Sequence, residues 1–243
     1  MNLLEVRGVT KSFGGIQALN GCGLELREGE IGGLIGPNGS GKTTLFNVVT
    51  GYERADAGAV EFRGKGILRR GPGEIFHLGI GRTFQLTRVF GRLTAVENLH
   101  VAAQRSGLRA LVRGWSASQE KERALSTLEY VGLANVSSLP AASLSYGQRK
   151  LLEFASILMA QPSVILLDEP AGGVNPTMIG FMADRIRDLN RQGTTFLIVE
   201  HNMTFVMDLC HRVTVMHRGA TIATGEPAEI RSNRAVLDAY LGD

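Results

Sequence analysis

Ile31-Gly32-Gly33-Leu34-Ile35-Gly36-Pro37-Asn38-Gly39-Ser40-Gly41-Lys42-Thr43 decides how the rest of this chain is read. A short run suited to a buried strand enters a glycine-rich loop, Gly36 to Thr43, that fits G-x-x-x-x-G-K-[ST] in full. A stretch of helical character follows, Thr43–Val49. Glycines let successive backbone N–H groups turn inward as an anion nest at the positive end of the coming helix. Lys42 adds a point charge for phosphates, and the Thr43 hydroxyl suits Mg²⁺. With Thr44 beside it, the loop forms a candidate nucleotide cradle. Average residue usage produces such a pattern by chance in about one chain in 100 of this size.

Hydrolysis needs more than a cradle. Val164-Ile165-Leu166-Leu167 runs into Asp168-Glu169, so a buried strand ends in two acids. Side chains alternate along a strand, which suits the two acids to different roles. Asp168 is a candidate Mg²⁺ ligand and Glu169 a candidate base for water. A second such strand, Phe196–Val199, leads into Glu200-His201, on the side where open α/β sheets bind ligands. That places His201 as a γ-phosphate sensor. Gln85 follows the short run Ile80-Gly81-Arg82-Thr83-Phe84 and is a candidate to ligate Mg²⁺ or to orient water. Ser145, followed by Gly147, opens an apolar-periodic segment in Leu144-Ser145-Tyr146-Gly147-Gln148-Arg149-Lys150, like a second anion-holding helix start.

The whole chain bounds these readings. At 243 residues it can hold one large domain or two small ones. No apolar run approaches the ~18 residues needed to span a bilayer, and the first residues lack the pattern of a secretory signal. Cys22 and Cys210 have no metal-ligand spacing and predict no disulfide, which points to the reducing cytoplasm. A net charge of +3 argues against a dedicated nucleic-acid binder. The basic clusters at Arg63–Arg70 and Arg105–Arg113 have no interleaved aromatics for stacking and read as solvated loops or a docking rim.

Short strands are predicted early, at Leu3–Val9, Leu24–Leu26, Ile31–Ile35 and Ala59–Phe62. Helical patterns dominate from Thr87 to Gln161, at Thr94–Gln104 and Ser118–Val131, with Thr94 and Ser118 as candidate caps and Glu97 and Lys121 on polar faces. A Gly- and Arg-containing loop is predicted over Arg105–Ser116, and short helices over Pro227–Leu241. The order is that of an α/β core with a helical insertion.

The ordered set Gly36 to Thr43, Gln85, Leu144 to Gln148, Val164 to Glu169 and His201 resembles the nucleotide-binding subunit of ABC transporters over nearly the whole chain. In the terms of that family these are the Walker A loop, Q-loop, signature motif, Walker B strand and switch histidine. Phe13 matches the aromatic that stacks on adenine. Gly81 to Gln85, Phe90, Thr94 to Leu99, Glu200 to Met203 and the ending Gly225 to Gly242 are similar to the ATPases of branched-chain and other hydrophobic amino-acid importers, in the LivG-like branch. Relatives that take up urea or short amides share much of this pattern.

The resemblance implies the P-loop NTPase fold of ABC ATPases: a RecA-like α/β core, an N-terminal antiparallel β part and an inserted α-helical subdomain. It implies one nucleotide-binding domain over residues 1–243, with the insertion at 87–161. It implies ATP and Mg²⁺ as cofactors, with Gly36, Pro37, Asn38, Gly39, Ser40, Gly41, Lys42, Thr43 and Thr44 on the nucleotide, and Thr43, Gln85 and Asp168 toward the metal. Glu169, His201 and Gln85 serve hydrolysis. Ser145, Gly147, Gln148 and Asn175 complete a site shared with a second ATPase subunit, homomeric or sister. Permease subunits in the membrane contact the helical insertion, an extracytoplasmic solute-binding protein acts indirectly, and nucleic acid is not a partner. The subunit is expected on the cytoplasmic face of the membrane as a peripheral component. Two positions depart from the family pattern: Tyr146 replaces the usual signature glycine, and Asn175 replaces the usual aspartate after Gly172-Gly173-Val174. Non-transport relatives that act on nucleic acid or ribosomes commonly carry two cassettes or long coiled coils, and this sequence has neither.

Overall fold

The computed structural model describes residues 2–85, 87–104 and 117–241. The first half of the chain runs β1 (Asn2–Phe13), β2 (Ile16–Arg27), β3 (Ile31–Ile35), α1 (Lys42–Val49), β4 (Ala57–Phe62), β5 (Lys65–Gly66), α2 (Pro72–Leu78) and β6 (Ile80–Arg82). Among the described residues, α3 (Ala95–Gln104), α4 (Ala117–Tyr130) and α5 (Tyr146–Leu158) follow. The chain then returns through β7 (Val164–Asp168), α6 (Pro176–Arg191), β8 (Thr195–Val199), α7 (Met203–Leu209), β9 (Arg212–His217) and β10 (Ala220–Gly225). It closes with α8 (Pro227–Ser232) and α9 (Arg234–Leu241).

Two sheets result. An antiparallel one has the order β2-β1-β4-β5, and the other has the order β10-β9-β3-β8-β7-β6. In the second, the neighbours from β9 to β6 run parallel and only β10 is antiparallel to its neighbour. Its central strands are buried along their whole length, and period two divides their side chains between two cores. Ile165, Leu167, Phe196 and Ile198 pack with the helices α3 to α7. Val164, Leu166, Leu197 and Val199 face the other way, toward α1 and the antiparallel sheet. Because β3, β6, β7 and β8 are parallel, their carboxyl ends open on one edge, and the loop from Gly36, Gln85, Glu169 and His201 all follow those ends.

The first two strands are much longer than the apolar runs Leu3–Val9 and Leu24–Leu26. Thr10–Phe13 and Ile16–Asn20 mix polar and apolar residues, yet they pair with each other across the Gly14-Gly15 turn, and register shifts break the alternation that marks a strand in sequence. Ser118 lies inside α4 rather than capping it. Thr94 does cap α3: its Oγ1 accepts from the Glu97 N–H at 3.3 Å, and Glu97 Oε2 accepts from the Thr94 N–H at 2.7 Å. Glu97 is therefore part of a reciprocal cap as well as on a polar face. The strands β9 and β10 and the helix α2 lie in stretches with no sequence expectation. The predicted loop Arg105–Ser116, with the basic cluster Arg105–Arg113, lies outside the described residues, as does Gly242. Cys22 and Cys210 are free and buried, and burial pushes their thiols up to about 11 and about 12. No helix among the described residues is long and apolar enough to cross a membrane.

Candidate functional site

The loop after β3 owes its shape to two glycines. Gly36 has φ 151°, and a Cβ there would stand 2.1 Å from the Met216 carbonyl oxygen of β9. Gly41 is left-handed at φ 100°, heads α1 without a side-chain cap, and would meet the Ala18 carbonyl at 2.5 Å. The first-turn N–H groups of α1 thus face outward with no side chain of the loop to occupy them. Lys42 Nζ folds back over the loop and donates to the carbonyls of Gly36 (2.7 Å) and Pro37 (2.9 Å) and to Ser40 Oγ (3.3 Å). Burial lowers its pKa, and the charges of Glu169 and Asp168 oppose that shift. Ser40 is buried, whereas Asn38, Gly39 and Thr43 are exposed. The hydroxyl of Tyr240, on α9, reaches the Gly36 backbone. Phe13 is exposed at the end of β1, with Lys11 Nζ 4.9 Å from its ring centre.

At the end of β7 the two acids part company. Asp168 is buried, with Oδ2 taken by Arg82 Nη2 at 2.9 Å and its N–H donated to Thr83 Oγ1 at 3.0 Å. Glu169 has φ 49°, a left-handed conformation that costs a non-glycine residue about 1–3 kcal/mol. The turn is held by its N–H on the Val199 carbonyl (2.9 Å) and by Lys150 Nζ, which donates to its own carbonyl. Its side chain swings to Gln85, whose Nε2 donates to Oε2 at 3.1 Å, and to His201, whose Nδ1 lies 3.9 Å from Oε1. Gln85, Glu169 and His201, widely separated in sequence, therefore meet at the open edge of the sheet.

Ser145, Gly147 and Gln148 lie at the start of α5. Ser145 caps α5: its Oγ accepts from the Gln148 N–H (3.2 Å), while Gln148 Oε1 accepts from the Ser145 N–H (2.9 Å). Oε1 of Gln148 is thus engaged in a capping box. Gly147 packs toward Val174 and Met178. Asn175 caps α6, its Oδ1 accepting from the Met178 N–H at 2.9 Å. Asparagine and aspartate cap helices about equally well, so the departure from the family pattern leaves this local role intact. Tyr146, the other departure, lies against Gly173, where a Cβ would come within 2.9 Å of its ring.

Sequence reasoning overlooked several residues that build the site. Arg82 also donates to Asn47 Oδ1 (2.7 Å) in α1 and to Thr50 Oγ1 (3.0 Å) at its C-cap. Glu200, fully buried, accepts from the N–H groups of Ala171 (2.6 Å), His201 (3.0 Å) and Asn202 (3.1 Å). Lys150 and Glu153 are buried on α5. Their signal was available as charge inside apolar runs, in Lys150-Leu151-Leu152-Glu153-Phe154-Ala155 and in Val199-Glu200, where an ionisable group is costly unless it has partners.

A metal would find few protein ligands here. No three His, Cys, Asp or Glu side chains cluster as a cage among the described residues. Arg82 occupies only one oxygen of Asp168, and the Thr43 hydroxyl is accessible. One carboxylate oxygen and one hydroxyl, with phosphate oxygens and water, fit the way Mg²⁺ is usually held beside a nucleotide.

Residues 19–172 match the family described as ABC transporter, and residues 220–243 match the one described as branched-chain amino acid ATP-binding cassette transporter. The chain is 39% identical over 250 residues to the high-affinity branched-chain amino acid transport ATP-binding protein LivG of Salmonella typhimurium, covering 99% of this chain and 98% of that one. It is 40% identical over 247 residues to the probable LivG of Archaeoglobus fulgidus, covering 100% of this chain and 96% of that one. Among solved structures, an ATP-binding cassette of an ABC transporter in its ADP conformation superposes with a TM-score of 0.88 at 36% identity, covering both chains fully. A dimeric ATP-binding cassette in a post-hydrolysis state, bound to ADP and Pi, gives 0.83 at 25% identity over 92% of this chain and 98% of that one.

Proposed function

We propose, for a chain that belongs to the ABC transporter ATP-binding family, that it is the ATP-hydrolysing subunit of an importer for branched-chain or other hydrophobic amino acids. The observation that carries this reading is the meeting of Gln85, Glu169 and His201 at the same sheet edge as the Lys42 loop, in a chain similar along its whole length to proteins named for that transport.

In this reading the backbone of Gly36–Thr43 and the Lys42 ammonium hold the phosphates, and Lys42 exchanges its loop carbonyls for phosphate oxygens. Phe13 covers the base. Thr43, Asp168 and Gln85 would hold Mg²⁺, which when bound neutralises charge on the β- and γ-phosphates. Glu169 orients and deprotonates water, its side chain aimed by Gln85, and His201 contacts the γ-phosphate. The hydrolytic site is complete only when Ser145 and Gly147 of a second ATPase subunit close over the nucleotide. The dimeric form of the ADP- and Pi-bound relative supports such a pairing. The difference in free energy between closed and open dimers is then passed to permease subunits. The helical insertion expected over 87–161 would meet those subunits. The groove among Tyr52, Phe76, Phe84, Arg88, Phe90 and Val101 supports that side as the contact. The subunit would sit at the cytoplasmic face of the membrane, and a solute-binding protein outside would choose the cargo.

Glu169→Gln tests the assignment. It keeps the shape of the side chain and removes the base, so turnover should fall roughly 10²–10⁴-fold while ATP binding persists. Hydrolysis at the wild-type rate would refute the role of Glu169. ATP binding without any hydrolysis in the wild-type chain, even with its partner subunits, would make it a nucleotide-binding scaffold.

A further inference from the structure

We propose that Tyr146, Lys150 and Glu153 are positioning residues: a polar stripe of α5 that fastens the Gln85 loop and the Glu169 turn to the helix capped by Ser145. The inference deepens the function proposed above and rests on the hydrolytic roles given there to Gln85 and Glu169.

The three residues are spaced i, i+4 and i+7, so they share one face of α5. Each reaches out of the helix to the backbone of a catalytic loop. Tyr146 Oη donates to the Gln85 carbonyl at 3.4 Å. Lys150 Nζ donates to the Glu169 carbonyl. Glu153 Oε1 accepts from the N–H groups of Phe84 (3.3 Å) and Arg88 (3.1 Å), the two residues that flank the Gln85 turn.

Burial makes these contacts informative. Lys150 and Glu153 are only 6% and 5% exposed, among Leu151, Leu152 and Phe154. An apolar residue at either site would pack well, so a buried charge there needs a compensating use. The use is the same in each case: a backbone group that no regular element satisfies. Among the described residues between β6 and α3 there is no helix or strand to fix the chain. Thr83 anchors one end to β7 through the Asp168 N–H and the Leu166 carbonyl. Glu153 anchors the other side to α5. Gln85 is thus suspended between core and helix. The left-handed Glu169 is held to the same helix through Lys150, whose ammonium also faces the carboxylates of Glu200, Glu153 and Asp168.

The consequence is mechanical. Any displacement of the N-terminus of α5, where Ser145 would meet the nucleotide of the opposite subunit, is transmitted to the Gln85 loop and to Glu169 through four hydrogen bonds made by three side chains. Tyr146, larger than the glycine usual in the family, supplies the first of them and fills the space over Gly173.

The test uses the full chain at concentrations where two copies can pair, comparing wild type with Glu153→Leu, Glu153→Gln, Lys150→Met and Lys150→Arg. ATP hydrolysis is measured across MgATP concentration, nucleotide affinity with a fluorescent ATP analogue, and folding by thermal denaturation. The expected result is a fall in kcat of about tenfold or more for Glu153→Leu and Lys150→Met, with nucleotide affinity within about threefold of wild type. Glu153→Gln keeps the Oε1 acceptor and should stay within about twofold of wild-type kcat. Unchanged kcat in both Glu153→Leu and Lys150→Met, or equal losses of kcat and affinity, would overturn the stripe. Should Glu153→Leu fail to fold, Lys150→Met and its rescue by Lys150→Arg decide the matter on the same criteria. A wild-type chain that binds but never hydrolyses ATP would instead remove the functional reading on which the stripe rests.

Discussion

Arg82 Nη2 lies 2.9 Å from Asp168 Oδ2, and the two side chains are only 5% and 3% exposed. The same guanidinium reaches Asn47 and Thr50 through Nη1 and lies over the rings of Phe46 and Phe84, 5.4 and 5.0 Å from their centres. One cation therefore ties the helix after the phosphate loop to the carboxylate at the end of β7. Removing one partner of a buried ion pair leaves the other uncompensated, at a cost of about 3–5 kcal/mol. Arg82→Met should lose that much stability in urea unfolding at neutral pH. The double variant Arg82→Met, Asp168→Asn should recover part of it, because no lone carboxylate remains. A loss below about 1 kcal/mol for Arg82→Met would show that water replaces the guanidinium cheaply.

Two glycines of one loop should respond very differently to alanine. At Gly36 a Cβ would lie 2.1 Å from the Met216 carbonyl and 2.7 Å from Ser40 Oγ, so either β9 or the loop must shift. Backbone strain plus overpacking there should cost about 2–5 kcal/mol. At Gly39, with φ 78°, a Cβ meets nothing within 4 Å. Only the left-handed backbone penalises it, by about 1–2 kcal/mol. Comparable losses for Gly36→Ala and Gly39→Ala, measured by thermal unfolding, would contradict this geometry.

Ser145 combines a structural duty with a proposed functional one, and a single substitution separates them. Ser145→Ala removes the cap and should cost about 0.5–2 kcal/mol. Ser145→Asp retains a cap of similar strength, yet it would place a carboxylate against the partner's γ-phosphate. Stability of the Asp variant should stay within about 0.5 kcal/mol of wild type, while ATP binding to the Lys42 loop persists. Hydrolysis by the paired subunits should fall at least about a hundredfold, as when a transition-state donor is lost. Full hydrolysis by Ser145→Asp would remove Ser145 from the shared site.

What the sequence displayed follows from what each signal needs. The loop from Gly36 to Thr43 and the strands ending at Asp168 and Val199 were legible because local pattern specifies them: glycine spacing in one case, unbroken apolar runs in the others. β1 and β2 were only half legible, since Lys11 pairs opposite Leu19 and Ser12 opposite Gln17 through bulges and backbone bonds that leave no hydrophobic period. The meeting of Gln85, Glu169 and His201 depended on strand order, β8-β7-β6, which no local pattern states. Lys150 and Glu153 left a hint in sequence, as charges inside an apolar run, and Arg82 left none. Which backbone groups they connect depends on the assembled fold.

Glu153 gives that burial a pH signature. Desolvation pushes its carboxyl from the usual 4.5 up to about 7, against the pull of the Arg88 and Phe84 N–H groups and the charges of Lys150 and Arg88. The folded chain thus holds this proton more tightly than the unfolded chain does. Between about pH 4.5 and 7 the unfolded state has released the proton while the folded state keeps it, so this group makes stability fall as pH rises. The gap corresponds to about 3 kcal/mol, fully expressed only above pH 7. Glu153→Gln keeps the acceptor and cannot ionise, so it lacks this dependence. The stability of Glu153→Gln relative to wild type should therefore improve by about 2–3 kcal/mol between pH 5 and pH 8 in urea unfolding. A difference that stays constant across that range would mean that Glu153 remains ionised in the folded chain, its carboxylate compensated in full by Lys150 and Arg88.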